Sequence, residues 1–239
     1  MKHSRFCLNL TLSALLAGAA YTAIAQSTNT AIQPAPREAN WIARHEGFLV
    51  EAQQTDPDVV FLGDSITDGW RTIGKVVWEE RFAPLKAANF GIDGDRTQHV
   101  LWRIQHGEFD RIRPKAVVLM IGTNNTPKGR NTTPEVIEGV TAVVQSLRAK
   151  LPGAKILLLA IFPRGQKDEP IREQLREINT AIAKLDDGKS VKFLDINSRF
   201  LEADGTLSKD IMPDLLHPNK KGYQIWADAI RGPLAKLLK

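Results

Sequence analysis

Apolar side chains gather in short runs at 59–62, 87–92, 116–121, 156–162 and 191–196, and the interiors of these runs are almost free of charge. Runs of this length, bounded by turn residues and rich in β-branched side chains, predict strands buried on both faces rather than the in-out alternation of a half-exposed sheet. Between them lie longer stretches with helical spacing. Strand and helix in alternation predict an α/β domain: a three-layer, flavodoxin-like fold, with a five-stranded parallel sheet and helices on both faces.

Two helices carry clear boundaries. Thr133-Pro134-Glu135 supplies a capping side chain, a proline at the first helical position and an acid in the first turn, after which Val136, Val140, Val143 and Leu147 fall on one face. Leu151-Pro152-Gly153 stops that helix. The last helix is expected to start at Asn219, with Tyr223, Trp226 and Ile230 on one side and a break or kink at Gly232-Pro233.

The apolar pattern differs at the start of the chain. Lys2 and Arg5 precede a continuous apolar centre at 6–20, and Ala23-Ile24-Ala25 forms a small-x-small site before Gln26. This predicts a signal peptide over 1–25, cleaved after Ala25, and export to the periplasm or outside the cell. A retained anchor is the competing reading, opposed by Asn9, Thr11 and Ser13 within the stretch. Residues 26–36, rich in Ser, Thr, Asn and Pro, read as a disordered spacer, leaving 37–239 as one domain large enough to bury a core.

Composition narrows the partners. Cys7 is the only cysteine, so a chain cleaved after Ala25 has none to pair in an oxidising compartment. Loss of Lys2 and Arg5 with the signal lowers the formal charge from +5 to +3, and the basic residues are interspersed with acids, as in Arg172-Glu173 and Arg176-Glu177. That is the pattern of a solvated helix face, not of a nucleic-acid-binding stripe. No metal-binding or phosphate-loop motif is found, Asp93 and Asp95 are too few for a cation cage, and no cofactor is implied.

The candidate chemistry lies just beyond strand ends. Gly63-Asp64-Ser65 follows the first run, and Asp214-Leu215-Leu216-His217 precedes the last helix. A serine hydroxyl needs a base to take its proton and a carboxylate to orient that base, and Ser65, His217 and Asp214 supply the three. The flanking sequence lacks the second glycine of a Gly-x-Ser-x-Gly elbow. Each residue also has a plainer reading. Ser65-x-x-Asp68 fits a capping box, His217 a satisfied buried histidine, Asp214 a solvated loop acid and Asn124 a turn residue. His45, His99 and His106 fall in predicted helices without a nearby serine turn, where structural roles are expected.

Four blocks in order, Gly63-Asp64-Ser65, Asn89-Phe90-Gly91-Ile92-Asp93-Gly94-Asp95, Gly122-Thr123-Asn124-Asn125 and Asp214-x-x-His217, resemble the GDSL/SGNH hydrolase family. Within it the chain is most similar to the catalytic subunits of platelet-activating-factor acetylhydrolase, through the second and third blocks, His99 to Arg103 and Pro163-Arg164-Gly165. The resemblance implies that Ser65, His217 and Asp214 are catalytic. It also implies an oxyanion hole built from the N–H groups of Ser65 and Gly94 and the side chain of Asn124, with Gly91 as a structural glycine. Asp93 replaces a family glycine at the mouth of this site. Ile66, Thr123 and Leu216 neighbour these residues and are expected to crowd the acyl group, which favours acetyl. With export, this points to an O-acetylated carbohydrate; a phospholipid acetyl ester is the alternative, and an inactive secreted carbohydrate-binding or surface-interaction protein is the rival from another class. The sequence carries no signal for oligomeric state.

Overall fold

A computed structural model describes residues 28–239. The expected signal at 1–25 lies outside them, and among the described residues no helix is long and apolar enough to cross a membrane.

Five parallel strands, β1 (Val59–Gly63), β2 (Ala87–Gly91), β3 (Ala116–Met120), β4 (Lys155–Leu159) and β5 (Val191–Leu194), form one sheet in the order β2-β1-β3-β4-β5. Neighbours run in register, with Gly63 opposite both Gly91 and Met120, so several strand ends open onto one edge. The seven α-helices are α1 (Ala39–Thr55), α2 (Ser65–Asp68), α3 (Lys75–Arg81), α4 (Thr97–Gln105), α5 (Thr133–Lys150), α6 (Pro170–Ile182) and α7 (Lys220–Leu237).

The uncharged runs are explained by burial on both faces of β1. Val60 and Leu62 join an apolar cluster with Phe48 of α1, Leu101 of α4, Val140 of α5 and Leu175 of α6. Val59 and Phe61 point the other way, into a cluster with Val77 of α3 and Trp226 of α7. Phe61 meets the rings of Trp78 and Phe82 at centroid distances of 4.9 and 4.7 Å. Burial of this apolar surface on both sides is the main force holding the three layers together.

Three expectations need correction. The segment expected as a spacer, 26–36, is packed from residue 28 onward: Thr30–Ile32 is a 3₁₀ turn with Ala31 fully buried, Thr97 Oγ1 donates to the Ala31 carbonyl at 2.7 Å, and Asn131 Nδ2 donates to Thr30 Oγ1 at 3.0 Å. Hydrogen bonds rather than apolar side chains hold it, so its composition gave no sign of order, and the packed unit starts before residue 37. The cap of α5 is Thr132 rather than Thr133. Glu135 lies three residues after Thr132 and returns a carboxylate to its N–H at 2.8 Å, the spacing of a capping box. Finally, α7 is not broken at Gly232-Pro233 and continues through Pro233 to Leu237. Proline removes one helical donor, but Leu234 is buried at 1 % exposure and anchors the final turn.

Candidate active site

Ser65 is the first residue of α2, and the helix cap is its predecessor. Asp64 Oδ1 accepts the Ile66 N–H at 3.0 Å, and the Asp68 N–H, which a capping Ser65 would serve, is bonded to the Asp64 carbonyl at 2.8 Å. The Ser65 hydroxyl instead lies 3.0 Å from His217 Nε2. The capping and catalytic readings competed for one hydroxyl, and the carboxylate beside it removes the competition.

His217 is held from its other side by Asp214. The ring Nδ1 is 2.6 Å from Asp214 Oδ2, while Oδ1 of the same carboxylate accepts the His217 N–H at 2.7 Å and the Leu216 N–H at 3.0 Å. Partial burial pushes the Asp214 carboxyl upward, but these hydrogen bonds outweigh it and hold the group below its ordinary value, and therefore ionised. With Nδ1–H donating to Asp214, Nε2 is left to accept from Ser65. Between the two residues Leu215 takes a left-handed conformation, φ 59°, unfavourable for a side chain with a Cβ, and its carbonyl accepts the Gly165 N–H at 2.9 Å. The tight turn is what lets one carboxylate reach both backbone and ring.

The opposite wall is built from the loops after β2 and β3. Gly94 has φ +72°, a conformation open to glycine, and Asn124 Nδ2 donates to the Asp95 carbonyl at 3.0 Å, tying the two loops together. One amide hydrogen of Asn124 remains for a ligand. Gly91 packs against the chain after Ser65 so closely that a Cβ there would lie 2.2 Å from the Asp68 nitrogen. Any side chain at 91 displaces the backbone of the nucleophile helix.

The acyl-pocket residues are not equivalent. Ile66 and Thr123 are only 1 % and 2 % exposed, and Leu216 alone of the three keeps open surface. Ser65 and His217 are half-buried and Asp214 is exposed. Among the described residues no group of three or more His, Cys, Asp or Glu is placed to hold a metal ion.

A buried polar cluster behind the Gly94 loop escaped the sequence reading. Asp95 is fully buried; its Oδ1 accepts from Trp41 Nε1 at 2.7 Å and its Oδ2 lies 3.2 Å from a guanidinium nitrogen of Arg103, also fully buried. Arg103 reaches Glu108 at 2.7 Å and the Phe90 carbonyl at 2.8 Å. Burial pushes the Glu108 carboxyl up, against the pull of Arg103. The cluster fixes the peptide that carries Asp95, and with it the Gly94 N–H and Asn124. His45 and His99 take structural places nearby: His45 Nε2 contacts the His106 carbonyl at 3.0 Å, and His99 Nδ1 accepts the Arg96 N–H at 3.0 Å.

The parallel α/β sheet carries Ser65 just beyond the end of β1, in hydrogen-bonded sequence with the imidazole of His217 and the carboxylate of Asp214 from the loop before α7. The chain belongs to the GDSL-like Lipase/Acylhydrolase family, which matches residues 61–225, and it is a carboxylic ester hydrolase. It is 38 % identical over 213 residues to human platelet-activating factor acetylhydrolase IB subunit alpha1, an alignment covering 89 % of this chain and 90 % of that one. Among solved structures it resembles a GDSL-like lipase from Bacteroides thetaiotaomicron (TM-score 0.64, 20 % identity, 81 % of this chain and 98 % of the other). It also resembles Axe2, an acetylxylan esterase from Geobacillus stearothermophilus (TM-score 0.59, 19 % identity, 77 % and 96 %). At these identities the two structural likenesses speak for the fold.

Proposed function

We propose that the protein is a secreted serine esterase that removes short acyl groups, acetyl foremost, through Ser65, His217 and Asp214. The observation that carries this reading is the continuous chain from Ser65 Oγ to His217 Nε2 at 3.0 Å and from Nδ1 to Asp214 at 2.6 Å. His217 takes the hydroxyl proton as Ser65 Oγ attacks the acyl carbonyl. The resulting oxyanion is met by the N–H groups of Ser65 and Gly94 and by the free amide hydrogen of Asn124. Collapse releases the alcohol, protonated by His217, and leaves an acyl-serine. Water, deprotonated in turn by His217, hydrolyses it.

The burial of Ile66 and Thr123, next in sequence to Ser65 and Asn124, supports a short acyl group. For the alcohol, the signal-like residues 1–25 favour an O-acetylated carbohydrate in the periplasm or outside the cell. The names of the curated relatives favour a phospholipid acetyl ester as the second reading. A serine-directed phosphonate followed by peptide mass analysis tests the enzyme: modification at Ser65 supports it, and tight glycan binding without modification identifies a binding protein. Free acetate released from a panel of acetylated polysaccharides and acetylated phospholipids then separates the two alcohols. Faster turnover of octanoate than acetate esters contradicts the short-acyl reading.

A further inference from the structure

Four arginines surround the oxyanion side of the site. A cleft of about 450 Å³ is lined by Gly94 and Asn124 on one side and by Arg37, Arg96 and Arg130 on the other. Arg130 Nη1 donates to the Asn124 carbonyl at 2.7 Å, and Arg164, from the Pro163-Arg164-Gly165 segment, donates to the Thr123 carbonyl at 3.3 Å. The first contact brings a guanidinium to Asn124 itself and the second brings one to its neighbour. They leave most of each fork of donors unused.

Acids offset this cluster only in part. Arg37 is paired, with Glu38 at 3.1 Å and with Asp95 at 3.4 Å. Among the described residues Arg96, Arg130 and Arg164 make no ion pair within 4.0 Å. Partial burial, with Arg130 and Arg37 close by, disfavours the charged form of Arg96, and no carboxylate offsets it. Glu38, exposed and paired with Arg37, is the one carboxylate lining the cleft. Like charges converging on a cleft beside a reaction centre raise the local concentration of anions, and the planar guanidinium matches a carboxylate or phosphate with two parallel hydrogen bonds.

We propose that the cleft formed by Arg96, Arg130 and Arg37 beside Gly94 and Asn124 binds an anionic group, a carboxylate or a phosphate, carried by the alcohol half of the ester. Ile66 and Thr123, next in sequence to Ser65 and Asn124, are buried, while the arginine cleft beside Gly94 and Asn124 is open, and the charged extension is therefore assigned to the alcohol rather than to the acyl group. The inference rests on the esterase reading and narrows its substrate to acidic esters. The carboxylate would come from an acidic sugar and the phosphate from a lipid headgroup or phosphorylated glycan.

The test compares three small acetates: 3-acetoxybenzamide, which is neutral, 3-acetoxybenzoate and 3-acetoxyphenyl phosphate. Each kcat/KM is normalised to the hydroxide-catalysed rate of the same ester. The expected result is a preference of tenfold or more for at least one anionic ester, carried by a lower KM and reduced by added salt. That ratio should fall at least fivefold in Arg96→Gln and in Arg130→Gln. Which anion gains more separates the carboxylate source from the phosphate source. A ratio near one in the wild-type protein, or a ratio indifferent to both substitutions, overturns the anion subsite and leaves the esterase standing. Failure to hydrolyse any of the three overturns both.

Discussion

Asp64 caps the helix that Ser65 begins: its Oδ1 holds the Ile66 N–H at 3.0 Å, and the serine hydroxyl is left to face His217. A helix start is a favourable place for a nucleophile because its N–H groups favour negative charge, but the same groups ordinarily claim a serine side chain. Placing an acid one residue earlier resolves that conflict.

Asn124→Ala removes the side-chain donor while leaving the strand-end turn. The expected outcome is a fall in kcat of about 10²–10³ with little change in KM, because the donor acts on charge that exists only in the transition state. Steady-state kinetics on an activated acetate ester measure it. A change confined to KM would assign Asn124 to ground-state binding.

Asp64 gives stability an unusual pH dependence. Burial, reinforced by the nearby carboxylates of Asp95 and Asp93, pushes its carboxyl to about 7 from an ordinary 3.8, despite the Ile66 N–H. Its stabilising contribution is complete below about pH 3.8. It declines as pH rises towards 7, where the unfolded chain has lost a proton that the folded chain retains, and is level above that. Asp64→Asn keeps a capping oxygen and abolishes the titration. Denaturant unfolding at pH 4.5 and 7.5 should show the wild type losing about 2–4 kcal/mol relative to the variant between the two. Parallel behaviour of both proteins would place the ionisation of Asp64 near that of an exposed acid.

Gly91→Ala tests the close approach of β2 to the nucleophile helix. A Cβ at 91 would lie 2.2 Å from the Asp68 nitrogen and 2.7 Å from the Thr67 carbonyl carbon, both backbone atoms that no rotamer change can move aside. The variant is expected to lose about 3 kcal/mol or more in thermal or denaturant unfolding, or to fail to accumulate as folded protein. Wild-type stability and activity together would show that the two segments have slack.

The strands were legible because β1 to β4 are covered on both faces, and double burial leaves apolar runs that stand out from any helix pattern. Ser65, Asn124 and His217 were legible because each is a reactive or donor side chain directly beyond such a run or before a helix. The support behind them was not. Asp95 is separated from Trp41 by 54 positions, and Asp95, Arg103 and Glu108 read as ordinary surface charges until the fold buries them together. The same blindness hid residues 28–36, whose order depends on partners at Thr97, Gln98 and Asn131. Local pattern shows which faces are buried. It does not show which polar groups meet across the sheet edge.

The central claim is that Ser65 is the nucleophile, and the most direct measurement is kcat/KM of Ser65→Ala on an activated acetate ester, with folding verified by unchanged circular dichroism and melting temperature. Loss of about 10⁴-fold or more is predicted, leaving only turnover supported by the oxyanion donors. Activity within tenfold of wild type in a folded Ser65→Ala protein would contradict the account.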